Sequence, residues 1–154
     1  MTPKVHEILN ETLAKHRLPI LRVIETGVSD TLDIASWVSD HEDTTFDTAD
    51  LNSNAQEENH NLLEDYDHAV FCTFHTQDHK KYLNDLKWVD IAFLGPDNLQ
   101  DGLEEFQLAA SAGASTIVIR NYQTAAAAAV KQAKRFGWTV TYKGDYVIIS
   151  RLGV

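Results

Sequence analysis

The chain has a single cysteine, Cys72, so no disulfide can form within it. Its place in the apolar run AVFCTF suits a small core residue, and a lone reduced thiol points to a reducing, cytoplasmic setting. Long apolar runs are missing as well: the longest, Ala125 to Val130, is far shorter than a membrane span needs. The opening segment, MTPKVHEILNETLAK, is charged throughout and lacks the apolar centre of a signal peptide. Positive charge is in short supply. Thirteen Lys and Arg against 23 Asp and Glu leave a net charge of −10, which repels phosphate backbones and argues against nucleic acid as a partner. Lys131, Lys134 and Arg135 lie along one helical stretch and read as a solvated face. No repeat, linker or low-complexity tail appears apart from a run of alanines. What remains, 154 residues that are 44% hydrophobic and 9% aromatic, is the composition of one globular domain spanning 1–154.

Periodicity divides that domain into helices and strands. Thr2-Pro3 reads as an N-cap and first helical position, and Val5, Ile8, Leu9 and Leu13 predict an amphipathic helix over 3–16 that Pro19 ends. A core over 20–151 follows. Leu21 to Glu25 is a short buried strand that turns at Thr26-Gly27 into a helix from about Asp30, with Leu32, Ala35 and Val38 as its stripe. TTFDTADL is a second strand near the sheet edge, and 52–65 a helix capped at Asn52 or Ser53 that buries Ala55, Leu62 and Leu63. HAVFCTF, over 68–74, reads as a continuously buried third strand. Thr76 is set to cap a helix with Tyr82, Leu83 and Leu86 inward, and 88–94 is the fourth strand, broken by Gly95-Pro96. A helix over 97–112 with Leu99, Leu103, Phe106 and Ala110 as its stripe, a strand at 115–119 and an alanine-rich helix over 124–136 complete the repeats. Two alternating runs around Lys143-Gly144-Asp145 form a closing β-hairpin. Repeated βα units with short connections require an α/β fold whose mostly parallel sheet has right-handed crossovers, and the hairpin adds an antiparallel strand.

In such a sheet, ligands bind past the carboxyl ends of the strands. The candidate site therefore begins at LRVIETGVSDTLDIAS, where a helix N-terminus near Ser29-Asp30 offers N–H groups to an anion such as a carboxylate. Glu25 and Gly27 close the first strand, and Asp50 closes the second, 25 positions after Glu25. An acid there accepts hydrogen bonds from ribose hydroxyls in nucleoside-binding folds, and Gly27 lets a ligand pass close to backbone. The pattern G-x-G-x-x-G is absent, since Ser29 and Thr31 stand at the later positions. A nucleoside without a pyrophosphate is the better guest, and nicotinamide or flavin dinucleotides are disfavoured. A phosphoacceptor signalling domain would want clustered aspartates after strand one and a lysine after strand five, where Glu25 and Arg120 stand.

The leading helix, the strand ending in E-x-G, the acid closing strand two, the segment VDIAFLGPDN and the final hairpin together resemble a class I S-adenosylmethionine-dependent methyltransferase. The likeness runs from Val5 to Arg151 and is closest to small-molecule O-methyltransferases, with Gly102 and Glu105-Phe106 following strand four. It implies a three-layer Rossmann-like sandwich with a seven-stranded sheet in the order 3-2-1-4-5-7-6, and S-adenosylmethionine as cofactor. By the same resemblance Glu25, Thr26, Gly27, Ser29 and Asp30 border the methionine part, Asp50 holds the ribose, Leu51 touches adenine, and Phe74 and His75 lie along its other side. Metal-dependent relatives carry an aspartate after strand four where this chain has Gly95, and an acidic pair after strand five where it has Arg120-Asn121. That implies no metal. His75 and His79, four apart, are a metal pair only with a third ligand, and none is evident.

Two functions are in play. One is methyl transfer to a small-molecule acceptor, with His75 as a general base and Asp97 and Asn98 orienting the nucleophile; Asp97 can equally cap the next helix. The other is a non-catalytic binding protein on the same fold, favoured by the single glycine after strand one, by Gly95 and by the absence of an insertion for a lid. An exposed edge strand or the helical segment over 52–65 could pair subunits.

Overall fold

A computed structural model describes residues 3–16, 19–20, 22–120 and 122–151. The expected cap at Thr2 and the start of the first strand at Leu21 lie outside them. Helix α1, Lys4–Lys15, buries Val5, Ile8 and Leu9. Then follow β1 (Arg22–Thr26), α2 (Thr31–Ser39), β2 (Thr45–Ala49), α3 (Ser53–Asp65), β3 (Thr73–His75), α4 (His79–Asp85), β4 (Ile91–Leu94), α5 (Leu99–Ser111), β5 (Thr116–Arg120), α6 (Tyr122–Ala125), α7 (Ala127–Arg135), β6 (Thr139–Lys143) and β7 (Tyr146–Ser150).

The seven strands form one sheet in the order β3-β2-β1-β4-β5-β7-β6. β1 pairs in parallel with both β2 and β4, so the chain reverses its direction of sheet growth there and the loops after β1, β2 and β4 part around a crevice. β7 runs antiparallel between β5 and β6. Alternate residues of the central strands feed two cores. Ile24, Ala92, Leu94, Ile117 and Ile119 face Phe106, Ala109, Ala129 and Ala133 of α5 and α7. Val23, Ile91, Phe93 and Val118 face Val5, Ile8, Ile34 and Trp37 of α1 and α2. Helices thus cover both faces, the three-layer sandwich expected.

Six local expectations are corrected. The third strand is not a buried run over 68–74: Ala69–Phe71 is a 3₁₀ turn, and β3 is a three-residue edge strand with Thr73 exposed. The apolar run packs along the rim, where one face suffices. The fourth strand is shorter, since Trp88 is 45% exposed and Arg22 lies over its ring. Asp78, not Thr76, caps α4 by accepting the Lys81 N–H. Asn98, not Asp97, caps α5, and this turns the buried stripe to Gly102, Glu105, Phe106 and Ala109, leaving Leu99 46% exposed. The alanine-rich helix is broken at Ala126 into α6 and α7. In α3, polar residues replace the expected Ala55 and Leu62 on the inner face. Gln56 donates to the His75 carbonyl and Asn59 to the Thr31 hydroxyl, while Leu62 is exposed.

Candidate functional site

Glu25, one residue before the end of β1, points into the protein and is 2% exposed. Its carboxylate accepts from the Asp30 N–H at 2.8 Å and from the hydroxyls of Thr48, at 2.8 Å, and Thr31. It caps α2 from the neighbouring strand, a task Asp30 at the N-cap position leaves undone with its own side chain. The Asp30 N–H foreseen for a ligand anion is thereby taken. Burial pushes the Glu25 carboxyl up to about 7, against the pull of its three donors.

Asp30 is also turned inward. Its Oδ1 accepts the Tyr146 hydroxyl at 2.7 Å and Arg120 Nη2 at 3.2 Å, and burial raises its carboxyl above the ordinary value. These three side chains crowd a small space beside Thr26, Ser29, Phe93 and Gly95, with about 240 Å³ of empty volume. Arg120, at the end of β5, thus serves an inner acid. Ser29 is exposed at its rim.

The end of β1 and the end of β4 nearly touch. Gly27 has φ +90°, a backbone form that side chains strain, and a Cβ at Gly95 would lie 2.8 Å from the Thr26 carbonyl oxygen. The two glycines make a floor of bare backbone. The Gly95 N–H donates to the Thr26 hydroxyl oxygen at 3.0 Å, and that hydroxyl donates to Glu105 at 2.6 Å.

Asp50 stands at the mouth of the adjoining cleft, which has about 540 Å³ of empty volume and is lined by Asp50, Leu51, His79, Asp97, Asp101 and Glu105 among others. Its own N–H donates to the His75 carbonyl, so β3 places it. His79 Nε2 donates to Asp50 Oδ1 at 2.8 Å, and Nδ1 lies 3.5 Å from Glu105. Burial lowers the His79 imidazole, but hydrogen bonding to the acceptors Glu105 and Asp50 outweighs this and raises it to about 9. Leu51 is 65% exposed at the rim. Lys80 closes one wall by pairing with Asp101 and Glu104 across α4 and α5.

The structure thus joins Asp50, Leu51 and Asp97 in one cleft and places Glu25, Thr26, Gly27, Ser29 and Asp30 beside it. It does not bring in the side chains of Phe74 and His75. Phe74 meets His60 edge-on, and His75 lies tilted against Tyr82 with Nε2 3.7 Å from Asp47. His75 and His79 therefore diverge. Asn98 is engaged as the α5 cap and bonds Asp101. The roles of His79 and Glu105 were not foreseen. Glu105 had a signal: with Gly102, Phe106 and Ala109 it sits on the buried face of α5, where a charge must find a partner.

The strand order, the closing hairpin and a cleft at the ends of β1, β2 and β4 define the class I S-adenosylmethionine-dependent methyltransferase fold. Solved structures agree. The chain superposes on a methyltransferase from Geobacter sulfurreducens with a TM-score of 0.73 at 12% identity, covering 99% of this chain and 80% of that one. For a putative caffeoyl-CoA O-methyltransferase from Staphylococcus aureus the values are 0.74, 13%, 99% and 85%. For the O-methyltransferase TomG from Streptomyces achromogenes, solved in complex with S-adenosylmethionine, they are 0.67, 17%, 99% and 82%. No protein-family model matches the sequence, and no curated protein matches it.

Proposed function

We propose that the chain binds S-adenosylmethionine in this cleft and transfers its methyl group to a small-molecule acceptor without a metal, in the reducing cytoplasm. The observation that carries the reading is Asp50: a carboxylate at the end of β2, side chain 20% exposed, beside a floor of bare glycine backbone in a fold built for such a nucleoside. The residues fit the group. Asp50, Asp97, Asp101 and Glu105 line a cleft in which only His79 and Lys80 are basic, which suits a cationic sulfonium and repels the pyrophosphate of a dinucleotide. Asp50 would hold the ribose hydroxyls and the exposed Leu51 would cover the adenine. Thr26, Gly27 and Gly95 would border the methionine part, with Glu25 holding their loop from beneath. When bound, S-adenosylmethionine supplies a methyl group already activated on sulfur, so the protein's task is to position two reactants. Asp97, exposed at the cleft, is the side chain free to orient an acceptor.

Metal independence is supported at Gly95, where any side chain would meet the Thr26 carbonyl oxygen at 2.8 Å. Cytoplasmic residence is supported by cysteine usage: Cys72 is the single cysteine of the sequence, so no disulfide forms within it. None of the described helices is long and apolar enough to cross a membrane. One feature favours a second reading, a non-catalytic protein that kept the fold: the Asp30, Arg120 and Tyr146 cluster fills space next to the cofactor cleft. Calorimetric titration with S-adenosylmethionine and S-adenosylhomocysteine tests the binding shared by both readings. Transfer of a radiolabelled methyl group to a panel of phenols, carboxylates and amines separates them.

A further inference from the structure

A carboxylate has about four lone-pair sites, two on each oxygen. On Asp50, His79 Nε2 takes one site of Oδ1 at 2.8 Å and the Asn52 N–H takes one of Oδ2 at 3.2 Å. Among the described residues that leaves one site on each oxygen of a side chain that lines the cleft. That pair matches two neighbouring hydroxyls, as on a ribose ring. His79 is itself held. Its other ring nitrogen lies 3.5 Å from Glu105, and an imidazole satisfies carboxylates on both nitrogens only as the doubly protonated cation. Glu105, 2% exposed, takes the Thr26 hydroxyl on its second oxygen, and Thr26 receives the Gly95 N–H. The chain of contacts from Gly95 to Thr26, Glu105, His79 and Asp50 therefore ties the ends of β4, β1 and β2 through α5 and α4.

We infer that His79 is a positioning residue: as an imidazolium clamped between Glu105 and Asp50, it holds the Asp50 carboxylate turned so that its two remaining lone pairs receive a vicinal diol. The inference rests on the reading of the cleft as a nucleoside site. The charged groups around His79 are Asp50 from the loop after β2, Glu105 and Asp101 from α5, Asp97 from the loop before α5, and Asp78 and Lys80 beside it. Acids outnumber the single lysine, so the surroundings favour the cation. Removal of the proton sets a bare nitrogen lone pair against a carboxylate oxygen and breaks one end of the clamp.

The test is calorimetric binding of S-adenosylhomocysteine and its 2′-deoxy analogue to the wild type, His79→Gln and His79→Ala, from neutral pH to about pH 10. Gln keeps a donor toward Asp50 and loses the charge. The wild type is expected to prefer the ribose ligand by about tenfold, the worth of a hydrogen bond to a charged group. That preference should collapse in His79→Ala and be partly restored in His79→Gln. Wild-type affinity should fall more steeply than that of His79→Gln as the pH passes about 9, where the imidazole gives up its proton, the titration of the ligand's own amino group being common to both proteins. Nitrogen-15 spectra of the His79 ring in Glu105→Gln, which should titrate at lower pH than in the wild type, check the clamp without ligand. Ribose preference and pH profile unchanged in folded His79 variants overturn the inference alone. Absence of any binding by the wild type overturns the nucleoside reading and the diol role with it.

Discussion

Replacing Glu25 with glutamine should remove a specific part of the protein's pH dependence. Glu25 is sealed from water, and burial raises its carboxyl from 4.5 to about 7. Between those values the folded chain keeps a proton that the unfolded chain has released. Stability therefore falls as pH rises through this window and levels off above about pH 7. At about 1.36 kcal/mol per pKa unit, the full span is worth ~3 kcal/mol. His79 shifts the balance in the same direction, but between 6.5 and about 9, where the folded protein holds the imidazole's proton longer. The interval from about pH 5 to about pH 6.5 isolates Glu25 from it, and the loss there should be ~2 kcal/mol. Urea unfolding followed by the fluorescence of Trp37, Trp88 and Trp138 measures it at both pH values in the wild type and Glu25→Gln. The amide changes the absolute level by facing donors with its NH₂, so the slopes are compared. Equal slopes in the two proteins would refute the assignment of a buried, raised carboxyl at Glu25.

Gly95→Ala brings a Cβ to within 2.8 Å of the Thr26 carbonyl oxygen, so the ends of β1 and β4 must part. Urea unfolding should show a loss of ~1–3 kcal/mol, and S-adenosylmethionine binding should weaken. Tyr146→Phe takes from buried Asp30 its 2.7 Å donor and should cost ~1–3 kcal/mol by the same assay, with Arg120 still in place. Phe106→Ala empties the contact between α5 and the sheet, where Phe106 is 4% exposed and meets Trp138 edge-on, and should cost ~3–5 kcal/mol. Asp50→Ala should abolish calorimetric heat from S-adenosylmethionine in a protein that still folds, with a lower urea midpoint because His79 loses its 2.8 Å partner.

The sheet was legible because its central strands alternate between two cores: Ile91 and Phe93 serve one, Ala92 and Leu94 the other. The hairpin announced itself through Gly144. Elements misplaced from the sequence lie at edges, where one apolar face suffices and periodicity weakens. HAVFCTF looks buried on both sides, yet it supplies a 3₁₀ turn and a three-residue rim strand. In the site, Asp50 and Gly27 were readable as strand-end residues in a known spatial role. Glu25 was readable as an acid in need of a partner, but its partners Thr31 and Thr48 could not be named, since Thr48 comes from the neighbouring strand. The clamp on His79 is a meeting of α4 and α5 that no local pattern encodes. Only the charge on the buried face of α5 hinted at it.

The central claim is that a nucleoside cofactor lies across the ends of β1, β2 and β4. Titrating the nitrogen-15-labelled protein with S-adenosylmethionine tests it residue by residue. The account predicts saturable shifts in the backbone amides of Gly27, Leu51, His79 and Gly95. Unmoved spectra at high micromolar ligand, or shifts confined to a second groove lined by Arg22, His75, Tyr82 and Trp88, would contradict it.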